Sequence, residues 1–137
     1  MILTTEKAVT VFHILNAARL GEKMADNAKF AVIHIVRQLK PVASSWQDLI
    51  KDATERLCPD NFDSIALKIQ KQIPLTPKEQ AIASEYDAKI KKCIDEEARN
   101  EVEIKVDSLS EEDLNGLIAS NSFSVSEIMT LYDTIVQ

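Results

Sequence analysis

The chain predicts a mainly α fold: a long antiparallel helical hairpin or small bundle around a kinked central helix, with a short two-stranded β ribbon and short C-terminal helices. Three observations lead there. Two glycines and four prolines among 137 residues are too few for the many turns of a sandwich or barrel. Apolar residues from Phe30 through Leu39, Val42, Trp46, Leu49, Ile50 and Ala53 to Leu57 recur at steps of three and four, the spacing of one helix face. One stretch only, Glu101-Val102-Glu103-Ile104-Lys105-Val106-Asp107, alternates with the period of two that marks a half-buried strand.

Taken in order, Met1 to Thr4 is a short apolar segment and the natural partner for that strand, since a lone strand is not stable. The predicted ribbon therefore joins residues 1–4 to residues 102–106. Thr4 or Thr5 caps a first helix, because a threonine hydroxyl accepts an orphan amide and Glu6 suits the positive end of the helix dipole. Its face is Ala8, Val11, Phe12, Leu15 and Ala18, and Gly21 is placed to end it in a left-handed cap. Asp26 or Asn27 opens the central helix. The run Phe30-Ala31-Val32-Ile33-His34-Ile35-Val36 is apolar nearly all round and is read as covered on more than one side. Pro41 removes one backbone hydrogen bond and crowds the carbonyl four residues back. Because the apolar stripe passes through it in phase, a kink is expected rather than two helices.

Pro59 turns the chain away from helix. Asp60 is read as the cap of a short helix bearing Phe62, Ile65, Ala66 and Ile69. Thr76-Pro77-Lys78-Glu79 is the strongest local signal: an N-cap threonine, proline at the first helical position and a glutamate reaching back as a capping box. That helix runs to about Asn100 with a narrow stripe of Ile82, Tyr86, Ile90 and Cys93 or Ile94, and packs on the Trp46 to Leu57 part of the central helix. Ser110-Glu111-Glu112-Asp113 and Ser124-Val125-Ser126-Glu127 start two short final helices. The predicted organisation is a helical core over residues 1–106 and an acidic helical tail over 107–137, packed on or beside it in one domain.

Charge separates along the chain. Residues 1–42 carry six Lys and Arg against three carboxylates, a net +3, while residues 107–137 carry six carboxylates and no Lys or Arg. The whole chain is at −6, which opposes nucleic acid and anionic membranes. No charged segment followed by an apolar run opens the chain, and no apolar run approaches the ~18 residues of a membrane span, so a cytoplasmic setting is expected. Cys58 and Cys93 stand alone, as free thiols of a reducing compartment.

A search for chemistry yields no catalytic, cofactor or metal residues. Neither His13 nor His34 belongs to an HExxH or has a glutamate three positions before it, as a di-iron bundle requires. Each is read as a core or interface histidine. The carboxylates at 95–97, 101 and 103 lack the spacing and turn glycine of a calcium loop. No serine lies in a GxSxG, and 5% aromatic residues give no stacking platform for single strands.

The order of features at Thr5 to Leu20, Lys29 to Leu57 (with Leu39-Lys40-Pro41-Val42), Pro77 to Asn100, Val102 to Val106 and Ser124 to Val136 resembles small helical proteins of bacteriophages and prophages. The segment from Phe62 to Pro74 is an addition to that pattern. The resemblance covers most of the chain and implies a short β segment, a helical hairpin and an acidic tail helix. Its members lack assigned activities, so it transfers no functional residues. The expected function is a non-enzymatic interaction protein, an accessory or assembly factor that binds a protein partner or itself. Ile128, Leu131 and Tyr132 on the last helix are the expected contacts. Two alternatives are a metal-binding or enzymatic bundle using His34, and a small DNA-binding regulator.

Overall fold

Six α-helices and a two-stranded antiparallel ribbon make up the described residues, 1–106 and 108–136 of a computed structural model. In order they are β1 (Ile2–Thr4), α1 (Thr5–Asn16), α2 (Asp26–Arg56), α3 (Phe62–Gln70), α4 (Pro77–Ala98), β2 (Glu101–Glu103), α5 (Glu111–Ala119) and α6 (Val125–Ile135). The class is the mainly α one with a short ribbon that the sequence predicts. Asp107, the last residue of the predicted strand, lies outside the described residues, as does Gln137. The chain forms two units. The first holds Met1–Trp46 and the residues from Ala98 onward, and the second is Gln47–Glu97.

In the first unit β1 pairs with β2 in the register Ile2 to Glu103, Leu3 to Val102 and Thr4 to Glu101. The Ile104 amide continues the pairing by donating to the Met1 carbonyl at 2.8 Å. At the other end the Thr5 amide (2.7 Å) and hydroxyl (3.0 Å) both donate to the Asn100 carbonyl. Thr4 is the N-cap of α1 and accepts from the Lys7 amide. That helix stops at Asn16, short of the predicted Leu20. Gly21 is not its left-handed cap, because no glycine here has positive φ. Gly21 instead marks a close approach: a Cβ there would collide with Ser120 Oγ and lie 2.8 Å from Ser120 Cβ.

α2 continues through Pro41 without interruption, which excludes the two-helix alternative. Its buried line is Ala28, Val32, Ile35 and Leu39, again at steps of three and four. The expectation that the whole run from Phe30 to Val36 is enclosed is overturned. Phe30, Ile33 and His34 are exposed, because two residues along a helix turn it through roughly 200°, so Phe30 faces away from Val32. Trp46 is half-buried.

The acidic C-terminal segment packs into the core of this unit. Leu114 and Leu117 of α5 and Leu131 and Ile135 of α6 share one core with Leu3 of β1, Val11 and Leu15 of α1 and Ile35 and Leu39 of α2. The acidic residues sit on helices whose apolar faces complete that core. Each fully buried Leu or Ile contributes about 1.5–3 kcal/mol, so the unit lacks a large part of its core without α5 and α6. Both helices start with reciprocal capping boxes, Ser110 with Asp113 and Ser124 with Glu127. Asn121 does more than end α5. Its Oδ1 accepts from the Arg19 amide at 2.7 Å, and its Nδ2 donates to the carbonyls of Arg19 (2.8 Å) and Leu117 (2.9 Å). It thereby fastens the chain after α1 to the end of α5.

The second unit has a thin core, with Ala53, Ile65 and Tyr86 as its buried apolar residues among those described. Tyr86 donates to the Thr54 carbonyl at 2.7 Å and stacks obliquely on Phe62 with ring centres 4.9 Å apart. The end of α2 thus meets α4, as predicted. Burial first, then Cys58 nearby, pushes the Tyr86 hydroxyl above its usual 10.0. Cys58 is exposed and Cys93 is half-buried. Asp60 does not cap α3. The N-cap is Asn61, in the left-handed region at φ 60° and without a side-chain cap bond, a conformation that asparagine tolerates.

α4 starts as predicted: Glu79 accepts from the Thr76 amide at 3.0 Å, and the Glu79 amide donates to the Thr76 hydroxyl at 3.2 Å. Lys68 of α3 adds a 2.8 Å ion pair to the same carboxylate. That hydrogen bond from Lys68, followed by the Thr76 amide, holds the Glu79 carboxyl below its usual 4.5. A depressed carboxyl stabilises the fold above its unfolded pKa, and that contribution is lost as pH falls through the folded value. In thermal melts Glu79→Gln is therefore expected to be less stable than the parent at neutral pH, with the gap closing below about pH 4.5. A gap that persists in acid would show that charge is not what Glu79 supplies.

The turn after α3 offers a stabilising change. The Ile73 amide donates to the Lys68 carbonyl and the Gln72 amide to the Ile69 carbonyl, the two bonds of a Schellman motif. Gln72 occupies its left-handed position at φ 58°. An L-residue there costs roughly 1–2 kcal/mol, and glycine gives back about 0.4–1 kcal/mol in unfolded-state entropy. Gln72→Gly is expected to raise stability by about 0.5 kcal/mol in urea titration, and Gln72→Val to lower it.

Candidate functional site

The outer face of α6 exposes three large apolar side chains. Val125, Met129 and Tyr132 stand at steps of four and three and are 75, 59 and 49% exposed. Beside this face, α1 and α6 enclose a groove of about 610 Å³ lined by Lys7 and Thr10 on one wall and Val125, Met129, Thr130 and Asp133 on the other. Lys7 and Asp133 also line a smaller hollow next to Ile2 and Glu101 of the ribbon. The Tyr132 hydroxyl donates to Glu111 of α5 at 2.8 Å. That bond to a carboxylate raises the Tyr132 pKa above its usual 10.0 and fixes the ring with one face outward.

Of the three contacts expected from sequence, Tyr132 alone is well exposed. Ile128 is half-buried, and Leu131 is a core residue with no exposed surface, so it cannot contact a partner while the chain is folded. Adjacent residues on a helix lie about 100° apart. The choice between Leu131 and Tyr132 as the outward one depends on where α1, α2 and α5 stand, which a single helix does not record. Val125 and Met129 were missed, although their spacing to Tyr132 was a readable signal.

A second groove of the same unit, about 650 Å³, runs along α2 against the segment after β2. Asn27, Phe30, His34 and Gln38 form one wall, and Lys105 and Val106 form the other. Phe30 is 61% exposed, an unusual state for a phenylalanine. Arg37 and Lys40 are exposed on the same helix. Of the two readings of His34, core or interface, the core one is excluded, since His34 is exposed on the groove wall. His13 is exposed beside Phe12, with ring centres 5.6 Å apart.

In the second unit Leu67, Ile69 and Ile73 are exposed. Of the predicted inner face of α3, Ile65 is buried while Ala66 and Ile69 face water. Among the described residues no three His, Cys, Asp or Glu side chains converge to hold a metal ion. Asp95, Glu96, Glu101 and Glu103 are exposed. No described helix is long and apolar enough to cross a membrane. No family model, curated protein or solved structure matches the chain.

Proposed function

We propose that this chain is a non-enzymatic interaction protein that binds a protein partner through the outer face of α6 and the adjoining α1–α6 groove. The observation that carries this reading is the exposed stripe Val125, Met129 and Tyr132 on a helix whose opposite face is locked into the core through Leu131 and Ile135. A rigid helix presenting an aromatic and a flexible thioether at low conformational cost suits protein recognition. An accessory or assembly role in a phage or prophage is the setting that the order of elements supports.

Met129→Lys puts a charge at the centre of the stripe without touching the core. Affinity capture from native-host extract, with the parent and the variant compared, is expected to enrich a protein that the variant fails to retain. Circular dichroism of the variant should match the parent. Equal recovery by both proteins would remove α6 as the contact surface.

A further inference from the structure

We infer that the partner of the α6 face is a second copy of this chain, which receives it in the α2 groove. The inference rests on the reading of α6 as a contact surface and adds the identity of what it contacts. Two properties of the first unit carry it. The two grooves share no lining residue and are built from different elements, α1 with α6 in one case and α2 with the segment after β2 in the other. Each also has an exposed large apolar residue in its lining, Met129 in the first and Phe30 in the second.

Their surroundings carry opposite charge. The described lining of the α2 groove carries Lys105 and His34 and no carboxylate. The α1–α6 groove is lined by Glu6 and Asp133 against Lys7, Glu111 holds the Tyr132 hydroxyl, and α5 and α6 contain no Lys or Arg. Complementary fields of this kind steer association and fix its register, while the apolar centre supplies the area. Methionine against an aromatic ring is also a favourable contact in itself.

An interface in which one patch binds a different patch of the next copy is heterologous. It propagates into a ring if the rotation closes and into an open chain if it does not. Association should therefore continue past the dimer as concentration rises. It should weaken with added salt, because the flanking charges are exposed and screened within about 8–10 Å.

Analytical ultracentrifugation of the full chain tests this with two variants, Phe30→Glu and Met129→Lys, each placing on one patch the charge that the opposite patch repels. The parent is expected to self-associate with rising concentration and to dissociate as salt is raised. Each variant alone should be monomeric, since every copy then lacks one half of the contact. Mixed in equal amounts, the two should associate to at least twice the monomer mass, because the intact α6 of Phe30→Glu still fits the intact α2 groove of Met129→Lys and the two introduced charges attract each other across the remaining pair of patches. A parent that stays monomeric at every concentration overturns the inference, as does a variant that still associates alone or a mixture that stays monomeric. If the parent is monomeric while Met129→Lys still loses a captured partner, the identity of the partner is wrong and the reading of α6 stands. If Met129→Lys loses nothing, the reading of α6 itself has failed.

Discussion

Leu131→Ala is expected to lower the unfolding free energy by about 2–5 kcal/mol, the range for truncating a buried leucine whose surroundings relax only in part. The side chain is fully enclosed and belongs to the core that joins β1, α1, α2, α5 and α6. A domain of this size has only about 5–15 kcal/mol to lose, so the variant should be visibly weakened at ordinary temperature. Tyr132→Ala is the internal control. Its ring is half in water, and its one recorded bond, to Glu111, is exposed. Its loss should cost under about 1.5 kcal/mol. Urea titration reads both through the midpoint, with the slope unchanged if the unfolded state is not altered. The reverse order, a mild Leu131→Ala and a severe Tyr132→Ala, would mean that α6 is turned the other way round. The core assignment and the proposed contact face would then fall together.

The contrast between these two neighbours shows what the sequence could and could not reveal. Signals that act over three or four residues were legible. Thr76 with Glu79, Ser110 with Asp113 and Ser124 with Glu127 each form the reciprocal bonds that their spacing predicts. The ribbon was legible as well, because alternation from Glu101 to Val106 leaves a strand in need of a partner and Met1 to Thr4 is the segment that supplies one. Phase was not legible. The run from Phe30 to Val36 is apolar at every position except His34, so it carries no mark of which third of the helix is covered. Only the packed neighbours decide that Val32 and Ile35 are inside and Phe30 outside. How the C-terminal segment packs was illegible for a related reason. Its carboxylates dominate the composition, but Leu114, Leu117, Leu131 and Ile135 decide where it sits. Contacts across about a hundred residues, such as Asn121 with Arg19, leave no local trace at all.

Gly21→Ala is expected to destabilise the protein by about 1–3 kcal/mol, the usual range for forcing an extra carbon into a filled space. Ordinarily the change would help, since alanine restricts the unfolded chain by about 0.4–1 kcal/mol relative to glycine. Here the added Cβ collides with Ser120 Oγ and lies 2.8 Å from its Cβ. The hydroxyl can rotate only by giving up its bond to the Gly116 carbonyl at 3.0 Å. The Cβ can retreat only if the backbone at the end of α5 moves. That backbone is held by the next residue, because Asn121 bonds both the amide and the carbonyl of Arg19. Any withdrawal of Ser120 therefore strains the junction that ties the chain after α1 to α5. A double-mutant cycle separates this clash from general intolerance of change at position 21. Ser120→Gly removes both offending atoms, so the double variant should be more stable than the sum of the single effects predicts, with a coupling of about 1 kcal/mol or more. Strict additivity, or a Gly21→Ala variant as stable as the parent, would show that the two segments do not approach as closely as described.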